Sequence, residues 1–138
     1  MLQYTYDARN YDEILAGGLI DRLIEGKLMD SRSFYELRRW PPGDGQYDFM
    51  VRNMYMALYL ANQRPSDGRK PIKVEIDVYM IQKFGAEAAL QESLKVLAAC
   101  GFAGTAIDIK QMGALTGKNR SNWEIVSFSF SRVLGLNY

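Results

Sequence analysis

Histidine is absent from this chain. That removes Ser-His-Asp and Cys-His nucleophile arrangements, the commonest general base near neutral pH, and the usual zinc and non-haem iron ligands. Cysteine occurs once, as Cys100, so no disulfide can form within the chain and no Cys/His metal site can be assembled. Cys100 reads as a small apolar core residue. Catalysis would have to rest on Asp, Glu, Lys, Tyr or an oxygen-ligated metal, and no catalytic signature is present. The expectation is a protein that is not an enzyme, with no cofactor and no metal. Apolar runs long enough to span a bilayer are also missing. The N-terminus lacks the basic start and apolar core of a secretory signal. Together these lead to the expectation of a cytoplasmic protein without a membrane partner.

Excess charge is lacking too. The net charge is +1, which draws neither nucleic acid nor anionic membrane strongly. Its distribution is uneven. Residues 1–37 carry seven acids and four bases, residues 38–73 three acids and seven bases, and the remainder six of each. The middle segment is the basic one.

What is present is a globular composition rich in tyrosine and phenylalanine, over 138 residues, the size of one domain. Leu2, Tyr4 and Tyr6 alternate as in a strand over 2–6. Asn10, with Glu13 three residues on, opens a helix from Tyr11 to about Glu25. Its stripe is Leu15, Leu19 and Leu23, and Gly17-Gly18 either breaks it into two short helices or admits a neighbouring backbone. Residues 34–40 read as a strand before the turn Pro41-Pro42-Gly43-Asp44-Gly45. Residues 46–63 read as a helix from their Met, Ala and Leu content. Alternation of Tyr47, Phe49, Val51, Asn53 and Tyr55 offers instead the second arm of a hairpin. Residues 64–72 form a connecting loop. Residues 73–81 alternate as a strand, and 85–100 has helical spacing, with Leu90, Leu94 and Leu97 buried. Gly101 is placed to be its left-handed terminator and Phe102 the accompanying contact. Strands at 105–112 and 122–133 follow.

These patterns predict a single α+β domain over 1–138, with 1–63 mainly helical and 73–133 a β-α-β-β half that resembles a ferredoxin-like arrangement. The polar outward faces predict a two-layer sandwich, a mixed or antiparallel sheet with helices on one face.

Three groups of residues are candidates for function. Glu75, Asp77, Tyr79, Asp108, Lys110, Trp123, Ser127 and Ser129 fall on the expected outer sheet face, either as a hard-cation site or as a solvated face with cross-strand ion pairs. The basic segment offers Arg38, Arg39, Arg52, Arg64, Arg69 and Lys70, with Trp40, Tyr47 and Tyr55 nearby, which suit an acidic protein surface, an anionic ligand or stacked bases. Lys118 and Arg120 tip the loop 113–121, whose run Gly113–Asn119 has three residues between its glycines and Asn where a phosphate loop has Ser or Thr. Met50, Met54 and Met56 suit core or an adaptable surface. The reading drawn from these residues is a non-catalytic protein that acts through a protein partner, of the small inhibitor or immunity type that includes phage-encoded antagonists of bacterial defence. Binding of an anionic small molecule or nucleotide, by a homo-oligomer, is the alternative, and RNA a weaker one.

Overall fold

The computed structural model describes residues 2–28, 34–40 and 47–111, with backbone alone over 105–111. Its order is β1 (Leu2–Ala8), α1 (Tyr11–Ala16), α2 (Leu19–Ile24), β2 (Glu36–Arg39), β3 (Phe49–Arg52), β4 (Met56–Leu60), β5 (Ile72–Ile76), α3 (Val78–Phe84), α4 (Ala86–Cys100) and β6 (Gly104–Gln111). The six strands form one sheet in the order β2-β3-β4-β5-β1-β6. Every neighbouring pair is antiparallel. β5 and β6 therefore run the same way on either side of β1, joined through α3 and α4.

The period of two sorts the side chains into layers. On β1 the buried residues are Leu2, Tyr4, Tyr6 and Ala8. They pair with Ile76, Val74 and Ile72 of β5, which pair in turn with Met56, Leu58 and Leu60 of β4. This apolar face shares one core with Tyr11, Leu19 and Leu23 of the first two helices and with Ala89, Leu90, Val96 and Leu97 of α4. Each fully buried large side chain contributes about 1.5–3 kcal/mol. The result is the two-layer α+β arrangement that the strand patterns predict.

Several elements differ from expectation, each for a local reason. Residues 46–63 are not a helix but the arms of a hairpin, β3 and β4. The Asn53 side chain accepts hydrogen bonds from the backbone N–H groups of Tyr55 (2.9 Å) and Met56 (3.0 Å), an Asx-type turn that closes the chain on itself. β4 lies inside the sheet and is buried on nearly every residue, so its alternation is hidden. The hairpin reading of 46–63 found β3 but carried it past this turn. Among the described residues, 1–63 consequently hold four of the six strands and two six-residue helices. Residues 73–81 do not form one strand: β5 stops at Ile76, and Asp77 caps α3 by accepting from Tyr79 N–H at 2.8 Å. Val78, Tyr79 and Met80 alternate in polarity, but the N-cap carboxylate stabilises helix at that point.

Other expectations hold. The helix over 11–25 breaks at Gly17-Gly18, where Gly18 takes φ +82°. α4 ends in a Schellman pair, with Phe102 N–H donating to Leu97 O and Gly101 N–H to Ala98 O, and Gly101 at φ +95°. One detail of α4 departs from expectation: its buried stripe is centred on Ser93 rather than Leu94, the Ser93 hydroxyl being satisfied by Tyr4 and by Leu90 O. The turn at 41–45, the loop 113–121 and the strand 122–133 lie outside the described residues, as do the facing directions expected on 105–112.

Candidate functional site

The registers of the sheet place two rows across the face opposite the helices. One is Glu36, Arg52, Ala57, Glu75 and Gln3; the other is Arg38, Met50, Tyr59, Lys73 and Thr5. This face is not the open solvated surface expected of it, because Met50, Ala57 and Glu75 are buried. Lys73 Nζ lies 3.4 Å from Glu75, and Tyr59 donates to the same carboxylate at 3.3 Å. The ammonium also sits 4.2 Å from the Tyr59 ring centroid. Trp40 stacks on Tyr59 at 6.2 Å and Tyr47 tilts against it at 6.0 Å. Burial, then the Glu75 charge, push the Tyr59 hydroxyl above its ordinary pKa. A lysine, a carboxylate and three rings thus satisfy one another on this face.

The arginines of the basic segment are largely paired within the chain. Arg38 Nε binds Glu36 at 2.8 Å. Arg39 points to the other face of β2, over the Phe49 ring at 5.1 Å. Arg69 pairs with Asp67 at 2.8 Å. Arg64 binds Asp7 at 2.6 Å and the Ala8 carbonyl, and its backbone N–H donates to Asp12 at 2.7 Å. Lys70 lies 3.9 Å from that Asp7. Arg64 therefore ties the 64–70 loop to the end of β1 and the start of α1. The pair is more than a third exposed, so Arg64→Ala should cost about 1 kcal/mol in unfolding free energy. Urea denaturation checks this; an unchanged midpoint would show that the tie is not made in solution.

Of the carboxylate group, Asp77 is the α3 cap and Tyr79 lies on α3, while Glu75 belongs to β5. Among the described residues, no three Cys, His, Asp or Glu side chains converge as metal ligands. The side chains of Asp108 and Lys110, and the residues Lys118, Arg120, Trp123, Ser127 and Ser129, lie outside the described set. Cys100 is buried, and burial pushes its thiol up to about 12.

A different cluster emerges at one end of the sheet. The β3–β4 turn meets the start of α3 there, through Asp77 N–H donating to Tyr55 O at 2.9 Å, and the start of β2 joins through Tyr35 N–H donating to Arg52 O at 3.1 Å. Four of the five exposed large hydrophobic residues among those described gather at this end: Tyr35 (68% exposed), Met54 (50%), Tyr79 (42%) and Phe84 (42%). Tyr55 stacks on Tyr79 at 6.0 Å and meets Phe84 at 5.7 Å. Lys83 lies within 6 Å of all three ring centroids. A small open pocket adjoins, lined in part by Arg52, Tyr59, Glu75 and Asp77. Sequence reasoning named Arg52, Met54, Tyr55 and Tyr79, in three separate groups, and did not join them. The available signal was Asp77 ahead of Val-Tyr-Met, a cap that turns Tyr79, Lys83 and Phe84 onto one short helix.

The chain matches no protein-family model, no curated protein and no solved structure.

Proposed function

We propose that this is a non-catalytic binding protein that docks on another protein through the aromatic end of its sheet, in the manner of small inhibitor or immunity proteins. One observation carries the reading: Tyr79 and Phe84 stay half-exposed while bound into one ring cluster with Tyr55, next to the exposed Met54. Tyr, Phe and Met are interface anchors, and rings already held in place lose little entropy on binding. The basic segment contributes less than its composition implies, since most of its cations have partners within the chain.

The test pairs Tyr79→Ser with Phe84→Ser. Both side chains are surface groups, so melting should move little. A partner captured in stoichiometric amount by the wild-type protein should bind the double variant about 100-fold or more weakly, two anchors being lost. Retention of that partner by the double variant would overturn the reading. So would the absence of any protein partner beside a clear thermal shift with a nucleotide, the result expected of the small-molecule alternative.

A further inference from the structure

We infer that the partner's contacting surface is acidic, a segment carrying Asp or Glu carboxylates among apolar side chains. This rests on the protein-docking reading above and adds the chemistry of what docks. The argument is one of leftover charge. At this end of the sheet the carboxylates are engaged: Asp77 by the Tyr79 N–H at 2.8 Å, Glu75 by Lys73 at 3.4 Å and Tyr59 at 3.3 Å, and Glu36 by Arg38 at 2.8 Å. Two of the cations, Lys83 and Arg52, are less so, Lys83 having the Tyr55 and Tyr79 hydroxyls as hydrogen-bond partners. Lys83 stands over the faces of Tyr55, Tyr79 and Phe84, 5.3–5.7 Å from their centroids, and enters none of the ion pairs formed among the described residues. Arg52 reaches Glu36 at 3.8 Å, a carboxylate that Arg38 holds more closely, while it lines the adjoining pocket.

A basic partner would meet carboxylates already committed and two cations that repel it. An acidic one gains a contact to an ammonium in the middle of the aromatic patch and a fork geometry at Arg52 suited to a carboxylate. Ring contacts hold the lysine in place, so less side-chain freedom is lost when the carboxylate arrives. Charge complementarity of this kind sets which partner is accepted more than how tightly it is held.

The probes are two synthetic peptides of equal length and equal leucine content, one bearing Glu and the other Lys at the polar positions. Each is titrated into isotope-labelled protein and followed by the amide resonances. The Glu peptide should perturb Met54, Tyr55, Tyr79 and Phe84 and bind at least about tenfold more tightly than the Lys peptide, the gap narrowing with salt. Arg52→Glu with Lys83→Glu should remove that preference. Arg52→Gln with Lys83→Gln, which introduces no repulsion toward Glu36 and Glu75, should halve it or more if the reversed pair fails to fold. Equal binding of the two peptides, binding of neither, perturbation at another surface, or preference unchanged in the charge variants would each overturn the inference. So would a dimer of this chain through the same patch in sedimentation. The two proposals separate in the capture experiment. A partner lost by Tyr79→Ser/Phe84→Ser but kept by the charge variants leaves protein docking standing and sinks the acidic partner. A partner kept by both sinks both.

Discussion

Replacement of Tyr4 by alanine is expected to lower the unfolding free energy by about 4 kcal/mol, the range for a large aromatic removed from a close-packed core. Tyr4 is fully buried near the middle of β1, a strand paired on both sides. Its ring sits between the sheet and α4, and its hydroxyl reaches Ser93 Oγ at 2.7 Å. Ser93 donates its own proton to Leu90 O at 2.7 Å, so Tyr4 is the donor in the first bond. That assignment separates the ring from the hydroxyl. Tyr4→Phe keeps the packing and leaves Ser93 bonded to Leu90, and should cost only about 1 kcal/mol. Urea denaturation of both variants reads the difference. A loss for Tyr4→Ala no larger than for Tyr4→Phe would mean that the contact of sheet with α4 is not the packed centre of the molecule.

Gly104→Ala is expected to cost about 3 kcal/mol, at the upper end for overpacking, and to lower the melting temperature by about 10 °C. Gly104 opens β6 opposite Ala8. A Cβ built there would fall inside the contact distance of the Asp7 carbonyl oxygen, 2.7 Å from its carbon and 2.8 Å from Ala8 Cα. All three atoms belong to the backbone of an interior strand, which cannot rotate aside as a side chain can. Either β6 peels from β1 at its start or β1 shifts against β5. Hydrogen exchange distinguishes the two, through loss of protection confined to β6 or spread into β5. Wild-type melting in Gly104→Ala would show that the strands do not approach this closely.

The fold was legible where one element satisfies its own pattern. Helix α4 is long, its apolar spacing is regular, and Gly101 and Phe102 end it by purely local hydrogen bonds. β1 alternates cleanly because one face is core and the other is polar. Gly17-Gly18 marks a break because Gly18 adopts a left-handed conformation. Residues 46–63 left helix and hairpin both open for the opposite reason: β4 is buried on almost every residue, and a strand without a polar face has the composition of a helix. Residues 73–81 were misread because a capping aspartate inside an alternating run looks the same as an outward-facing strand residue.

The candidate site was less legible than the fold. Arginines crowded between 38 and 69 suggest a basic surface, yet Arg64 is held by Asp7, 57 residues away, and Arg38 by Glu36 two residues back. Nothing in the order of residues says which charges find partners. The aromatic patch has the same origin. Tyr35, Met54 and Tyr79 are distant in sequence, and the turn at Asn53 and the cap at Asp77 bring them to one end of the sheet.

What the sequence determined by itself is the chemistry excluded by the lack of histidine and by a lone cysteine, and the elements whose periodicity is local. Tertiary structure alone decided that β1 lies inside the sheet, that 46–63 turns back on itself, and that most of the basic segment is neutralised from within. The physical reason is range. Helix spacing and caps act over three or four residues, whereas strand order and ion pairing depend on residues dozens of positions apart meeting across a sheet.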